Sequence, residues 1–527
     1  MVIGFGGRIA VGMSMVLAAI PVPVVLAGRS VAASGPMTEV VVQAASPGAA
    51  SAAVTAAGGR VVMAMPALGL VAADVPAGGT ALLAAQPGVQ AVTPDRPLRV
   101  ASAGVASSAL TLTGTPSVYR AQVGADSLAA RGDTGQGAVV ALIDTGVSPV
   151  PDLAGRLVTG LENPADPSGP PVNCINFSGD HTCRDGFGHG TFMAGLIAGT
   201  GAQSGGRFAG VAPGARIISI KVARSNGSTD LVRVLAAFDW AISFKQQYGI
   251  SVLNLSLGAR PTADPSRDPL DVAAERAWQA GIAVVAAAGN GGPGSQTITA
   301  PGDDPMVITA GAADDHGNPS PAGDTVAPFS SEGPALGGAA KPDVVAPGTD
   351  IVGLQSPGSV VSTIPTEADL TAPNFDGAYR RGSGTSMATA ITSGVAALVW
   401  SDWSSRPGFS AAAWPDRLKA ALTSTASPVS APGPAAEGAG LVDAAAAVNA
   451  AAVSIPAAGR PAPRPPGPGF SPGPAAWYSG PFAGQSWEGQ SWEGQSWEGQ
   501  SWEGQSWEGQ SWEGQSWEGQ SWEGFFN

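Results

Sequence analysis

The chain has 527 residues, 44% hydrophobic and only 13% charged, which is enough apolar material for a large core in more than one folded unit. Its net charge of −14, with no basic stripe to neutralise phosphates, excludes nucleic acid as a default partner. Part of that charge is local: the segment from Gly484 onward holds eight Glu and no Lys or Arg, so the rest is nearer −6.

The first element expected in chain order is an export signal. Arg8 precedes an uncharged run from Ile9 to Ala27, and small residues follow at Ala27-Gly28 and Ala32-Ala33. This is the order of a charged n-region, an apolar h-region and a small-residue exit. Residues 1–33 are therefore read as a signal peptide, and the protein as secreted, extracellular or associated with the cell envelope. A membrane anchor of similar length is the alternative, and Pro21 and Pro23 favour cleavage. No later stretch is long and apolar enough to span a bilayer, so no span is expected after signal cleavage.

Residues 37–100 read as a small α+β unit. Glu39–Val42 is an expected strand, and an Ala-rich helix runs to Ala57 and stops at Gly58-Gly59. Strands follow at Arg60–Met63 and Leu70–Val75, then a short helix over Thr80–Gln86 and a strand at Val89–Val92. Strand, helix, two strands, helix, strand is a ferredoxin-like order. Small polar residues from Ala101 to about Thr115 suit an exposed linker.

Residues 115–452 alternate short apolar strands with longer helical periods. The expected strands are Ala138–Ile143, Ile217–Val222, Val252–Leu257, Ile282–Ala288, Met306–Ala310 and Val344–Val345. Near-continuous apolar runs of this length mean strands buried on both faces, as in a parallel sheet. Helices are expected at Thr229–Gln247, at Pro269–Ala280 with Pro opening and Gly281 closing it, and from Met387 through Leu398. The predicted fold class is α/β, a doubly wound and mostly parallel sheet.

Cys174 and Cys183 are the only cysteines. A disulfide between them would close a short loop and contribute roughly 2–3 kcal/mol; two unpaired thiols are the alternative. With only His181 and Asp185 nearby, the spacing fits no zinc pattern, and no metal site is expected.

A Pro/Gly-rich linker occupies 453–483. Residues 484–527 then carry eight tandem copies of Gln-Ser-Trp-Glu-Gly, from Gln485 to Gly524. With Gly and Glu in every copy and a period that suits neither helix nor strand, this tail is expected to be disordered. It reads either as a multivalent Trp-bearing tether to a cell wall, glycan or partner, or as a passive spacer.

Three stretches carry chemistry. Val140-Ala141-Leu142-Ile143-Asp144-Thr145-Gly146 puts a carboxylate at the C-terminal end of a buried strand, where catalytic groups gather in open α/β sheets. Gly188-His189-Gly190-Thr191 opens a helical run, and Gly384-Thr385-Ser386-Met387-Ala388 opens the apolar helix after it. Each alone reads as a cap or a turn; together, each at a strand-to-helix transition, they form an acid, a base and a nucleophile. The three histidines, His181, His189 and His316, all precede Ser386. The Ser-acid-His order of an α/β-hydrolase is therefore unavailable, and Asp144, His189, Ser386 is the order of subtilisin. A second Asp-Thr-Gly at Asp133 raises an aspartic-protease pair, but it lies eleven residues from Asp144 in a polar turn and cannot supply a second lobe.

These motifs resemble those of the subtilisin-like serine proteases, the subtilases, over nearly all of residues 115–452. Gly210-Val211-Ala212-Pro213, Asn254-Leu255-Ser256-Leu257-Gly258, Val284–Asn290, Pro342–Gly348 and Gly438–Ala444 agree as well. The resemblance implies a subtilisin-like catalytic domain and a serine endopeptidase acting on protein or peptide substrates through an acyl-enzyme intermediate. In it Ser386 is the nucleophile, His189 the base and Asp144 the residue that orients the imidazole. It makes Asn290 a side-chain donor to the oxyanion, and Ser256, Leu257 and Gly258 a strand edge that pairs with extended substrate. It makes residues 37–100 an inhibitory propeptide of a zymogen, cut between Val100 and Tyr119. No cofactor is required. The calcium loop of many subtilases falls at Gly199–Arg207, which has no carboxylate or Asn, so calcium is not supported there and a calcium site elsewhere is the open alternative. Thr299 falls near the base of the pocket for the residue before the cut, with the nearby Asp303 and Asp304 read as surface-loop charges and a preference for basic residues there as the alternative. The contrasting reading of the whole chain is a catalytically inactive wall- or glycan-binding protein working through its Trp repeats.

Overall fold

A computed structural model describes residues 36–100, 118–163, 169–261, 265–363, 377–430 and 433–450. The readings placed on 1–33, 453–483 and 484–527 lie outside these residues.

The N-terminal unit runs β1 (Met37–Ala44), α1 (Pro47–Ala56), β2 (Arg60–Met65), β3 (Leu70–Pro76), α2 (Gly79–Ala84), β4 (Val89–Pro94). Its sheet has the order β2-β3-β1-β4, antiparallel throughout. Ser46 starts α1 by accepting the Ala49 N–H at 3.2 Å, with Pro47 at the first helical position. Side chains alternate across the sheet, as the two-residue repeat of a strand requires. Val40, Val42, Val71, Ala73 and Val75 pack under α1 and α2 with Ala50, Val54 and Leu83. The opposite face, with Val41, Met63, Met65, Leu70 and Ala72, joins the main core of the chain. Both faces are thus covered, one by the unit's own helices and the other by the larger domain.

A strand the sequence reading did not anticipate, β5 (Pro97–Val100), follows. Two short helices, α3 (Tyr119–Gln122) and α4 (Ala125–Ala129), precede the larger domain's elements: β6 (Val139–Asp144), β7 (Ile175–Asn176), α5 (His189–Ala198), β8 (Arg216–Lys221), β9 (Thr229–Asp230), α6 (Leu231–Ser243), α7 (Lys245–Tyr248), β10 (Ile250–Leu255), β11 (Leu257–Gly258), α8 (Pro269–Gln279), β12 (Ala283–Ala287), β13 (Ile308–Asp314), β14 (Thr325–Val326), β15 (Val344–Pro347) and α9 (Thr385–Trp403). The eight-stranded sheet has the order β14-β13-β12-β10-β6-β8-β7, with β15 also on β13. Every pairing in it is parallel except β13 with β14. The central strands β6, β10 and β12 are buried at every residue, which explains their unbroken apolar sequences. This is the doubly wound sheet expected from strand-helix alternation.

The helix α9 is buried on all sides from Thr385 to Val399. Its hydroxyls are satisfied locally: Thr389 Oγ1 donates to the Thr385 carbonyl at 2.7 Å, and Thr392 Oγ1 to Ala388 at 2.8 Å. Two expected elements are divided. The helix over Thr229–Gln247 begins only at Leu231, because Asp230 caps it by accepting the Arg233 N–H, and it breaks at Phe244. The strand over Val252–Leu257 stops at Leu255, and Leu257–Gly258 pairs elsewhere, with β5.

Candidate active site

The candidate residues arise at the C-terminal ends of parallel strands, where such sheets open crevices. Asp144 ends β6, His189 begins α5, Asn290 follows β12, and Ser386 lies in the first turn of α9. The helices α5 and α9 pack against each other, and this brings the imidazole and hydroxyl helices together.

His189 Nδ1 lies 2.8 Å from Asp144 Oδ1 and 3.0 Å from Oδ2, with both side chains buried. A carboxylate only accepts, so Nδ1 carries the proton toward Asp144 and Nε2 of the neutral ring is left as an acceptor. Nε2 is itself buried and has no hydrogen-bond partner. Asp144 is steadied by the Thr145 N–H, which donates to Oδ1 at 2.7 Å. Gly190 makes the close approach of α5 to β6 workable: a Cβ there would stand 2.1 Å from the Gly146 carbonyl oxygen.

Asp185, read from sequence only as a poor metal ligand, is a buried organiser of the His189 turn. Its Oδ1 accepts the Gly188 N–H at 2.6 Å and the Thr145 hydroxyl at 2.7 Å, and its Oδ2 accepts the Thr191 N–H at 2.8 Å. Burial pushes its carboxyl above the usual range. The pattern of a helix start was visible in the sequence; the link from Asp185 to Thr145 was not.

The disulfide Cys174–Cys183 forms, with Cα atoms 5.8 Å apart and nine residues of separation. The chain leaves it through Arg184 into Asp185. The buried Lys221 ties this loop to the end of β8, donating to Asp180 Oδ2 at 2.9 Å and to the Arg184 carbonyl at 2.9 Å. Cys174→Ser is expected to lower unfolding stability by about 2–3 kcal/mol from loop-closure entropy. Denaturant titration of the oxidised wild type and the variant would measure it; equal midpoints would show that the loop is held without the bond.

Ser386 is buried, and its hydroxyl donates to the Ser256 carbonyl at 3.2 Å. Asn290 Oδ1 accepts the Thr385 N–H at 2.9 Å and the Thr385 hydroxyl at 3.0 Å. Because a backbone N–H must meet an oxygen, the amide orientation is fixed and Nδ2 remains the outward donor. Thr385, which the sequence reading did not single out, is therefore the residue that sets Asn290. The structure joins Asp144 to His189 and Asn290 to the start of α9. It rests the Ser386 hydroxyl on Ser256, while the His189 Nε2 hydrogen bond is unmade.

Leu257–Gly258 forms β11 and pairs with β5, while Ser256 lies between β10 and β11. A Cβ on Gly258 would stand 2.9 Å from Thr299 Oγ1, and one on Gly289 would stand 2.8 Å from Thr299 Cγ2. Thr299 thus lies between the Ser256–Gly258 edge and the Gly289-Asn290 turn. The reading of Asp303 and Asp304 as surface-loop charges is corrected: they are 0% and 1% exposed. The turn after Pro301 folds inward against α8. There burial, with Asp268 and Asp304 adding repulsion, holds the Asp303 carboxyl up to about 6, and burial also raises Asp304.

Among the described residues no group of three or more His, Cys, Asp or Glu is placed to hold a metal ion. Near Gly199–Arg207 the buried Asp152 has both oxygens in hydrogen bonds, with Oδ1 accepting the Tyr379 hydroxyl and Oδ2 accepting the Gln203 N–H at 3.1 Å. Also among the described residues, no helix is long and apolar enough to cross a membrane.

The doubly wound sheet thus carries a buried Asp-His pair at one strand end and a serine in the first turn of a buried helix. Residues 135–450 match the Subtilase family profile, and the chain belongs to that family. It is 41% identical over 271 residues to the serine protease AprX of Bacillus subtilis, an alignment spanning 50% of this chain and 57% of AprX. It is 34% identical over 302 residues to subtilisin DY of Bacillus licheniformis, spanning 57% and 88% of the two chains. The chain spans little over half the length of AprX, at 57%. The structure of fervidolysin from Fervidobacterium pennivorans, a keratinolytic enzyme related to subtilisin, overlays with a TM-score of 0.60 at 24% identity, covering 80% of this chain and 62% of fervidolysin. At that identity the likeness is one of fold.

Proposed function

We propose that the protein is a secreted serine endopeptidase in which Ser386 attacks the scissile carbonyl. His189 takes its proton and returns it to the leaving amine, and Asp144 holds the imidazole in the required tautomer and stabilises its cation. Asn290 Nδ2 and the Ser386 backbone N–H donate to the oxyanion that forms. The observation that carries this reading is the buried, unpartnered Nε2 of His189. A buried acceptor left unmade costs about 1–3 kcal/mol, so it persists where another function needs the lone pair. In this reading the Ser386 hydroxyl is the donor that Nε2 takes up when the catalytic hydrogen bond forms. A fluorophosphonate probe is expected to label the processed protein at Ser386; no labelling, with no peptide hydrolysis, would end the proposal. Secretion with removal of residues 1–33 is tested by the N-terminus of protein recovered from culture medium.

We read the N-terminal unit as an inhibitory propeptide. Supporting this, β5 pairs antiparallel with β11, Leu257 facing Val100 and Gly258 facing Arg99, and on its other side with β9. The chain leaving the unit fills the edge that extended substrate would use. The unit also sits on α6, where Asp239 Oδ1 accepts the Ala67 and Leu68 N–H groups at 2.7 and 3.2 Å.

This docking surface is rich in carboxyls with raised pKa values. Burial, then Asp95, Asp230 and Asp74, holds Glu39 up to about 8, against the opposing Arg233. Burial, then Asp230, holds Asp95 up to about 7, and burial holds Asp239 up to about 8. Arg224 and Arg233 face Asp230 in the same cluster. Released from the surface, these carboxyls return toward about 4. The docked form binds more protons, so docking is fully present below about pH 4 and is lost as pH rises through 7 to 8. Glu39 and Asp95 keep partial solvent contact, which discounts the effect. Inhibition by a segment spanning residues 36–100 is expected to weaken by about 10- to 100-fold from pH 5 to pH 8. An inhibition constant flat across that range would remove this proton linkage.

A further inference from the structure

Beyond the catalytic centre, we propose that the substrate groove extends to an acidic subsite built on Asp268, which selects a basic side chain two residues before an apolar one. This rests on the reading that β5 lies where substrate lies.

The chain itself supplies the occupant. The backbone ladder that holds β5 continues back to Arg96, whose carbonyl accepts the Leu231 N–H at 3.0 Å. Pro97 then faces Asp230 and Leu98 faces Thr229 on β9, and Arg99 and Val100 face Gly258 and Leu257 on β11. Five consecutive residues are thus held extended in one track. Along it, Leu98 is 2% exposed and joins the main core, whereas Arg96 turns to a buried carboxylate. Its Nη2 lies 2.7 Å from Asp268 Oδ2, with Asp268 1% and Arg96 17% exposed.

Asp268 is built to stay in place. Its Oδ1 caps α8 by accepting the Leu270 N–H at 3.0 Å, while its Oδ2 meets the guanidinium. Behind it lies a reserve of buried acid. Asp271, wholly buried, feels Asp303, Asp268 and Asp304 and is pushed well above the usual carboxylate range, first by its burial. Lys341 and Lys419 offset part of this charge at Asp304. A buried carboxylate held this way gains from a cation at hydrogen-bond distance, and a planar guanidinium satisfies it better than an ammonium. Once the N-terminal unit has left, Asp268 loses the Arg96 partner shown here, and an arginine of substrate can take that place.

The test uses processed enzyme and quenched peptides copying residues 95–104, with Arg96 kept, changed to Lys, Ala or Glu, or replaced by citrulline, its neutral isostere. The expected kcat/KM order is Arg, then Lys, then citrulline and Ala about 10-fold below Arg, with Glu about 100-fold below. In Asp268→Asn enzyme, where asparagine keeps the helix cap, the spread among the five peptides is expected to shrink to about 3-fold. Each enzyme is its own reference, and the wild-type series alone decides the matter if the variant does not fold. Equal turnover of all five peptides by wild type would overturn the subsite and leave the Arg96–Asp268 pair as a docking contact of the N-terminal unit. An unchanged ranking in Asp268→Asn would overturn the role of Asp268. Failure to cleave any of the five, with no fluorophosphonate labelling, would instead overturn the protease reading.

Discussion

Ser386→Ala is expected to lower kcat for peptide hydrolysis on the order of a million-fold with KM changed only a few-fold, a magnitude taken from related enzymes rather than from this structure. Alanine removes the nucleophile, and nothing else at the start of α9 can replace it, since the neighbouring Thr385 hydroxyl is committed to Asn290 Oδ1 at 3.0 Å. His189→Ala is expected to cost about as much, and the double variant no more than either alone, because a base without a nucleophile has no work. Steady-state hydrolysis of one peptide by the three purified variants checks both statements. Activity of Ser386→Ala within 10-fold of wild type, or additive losses in the double variant, would contradict the roles assigned. The fold should survive Ser386→Ala, because serine to alanine removes one hydroxyl oxygen and leaves the packing of the buried α9 unchanged.

The second large effect is expected at Asn290. Asn290→Ala should lower kcat by about 100- to 1000-fold, a range also known from a related subtilisin, with little change in KM. The split follows from when the bond is made: Nδ2 meets charge that develops on the carbonyl oxygen only as the bond to serine forms. The structure adds a graded control. Thr385→Val keeps the backbone N–H that holds Asn290 Oδ1 but deletes the hydroxyl that shares the task and that also accepts the Gly289 N–H at 3.2 Å. A loss of about 10-fold in kcat is expected there, from a loosened donor rather than a missing one. A Thr385→Val variant as impaired as Asn290→Ala would show that the hydroxyl does more than orient the amide.

Much of the fold was legible because its signals are local. The unbroken apolar runs of β6, β10 and β12 required strands buried on both faces, and Pro269 with Gly281 bracketed α8. The candidate site was legible as three motifs at strand-to-helix joins, because catalysis at that rim needs residues that interrupt regular structure. What could not be read depends on partners distant in sequence. The strand Pro97–Val100 has no alternation of its own and exists because β9 and β11 flank it. Asp303 and Asp304 look like a polar turn, yet Asp304 Oδ1 holds the Met306 N–H at 2.7 Å inside the protein. The role of Thr385 follows from a contact 95 residues away, which no periodicity encodes.

The sealed surroundings of α9 bear on how a chain with the proposed activity would outlive its own cleavage. A helix with no solvent-facing side from Thr385 to Val399 cannot fray by itself, so its amides should exchange with solvent only when the whole domain opens. On the proposed activity, self-digestion has to begin at peripheral loops, and a nicked molecule keeps its serine helix clamped until the sheet beneath it comes apart. Ageing preparations should lose activity in step with their global structure rather than through gradual erosion of the centre.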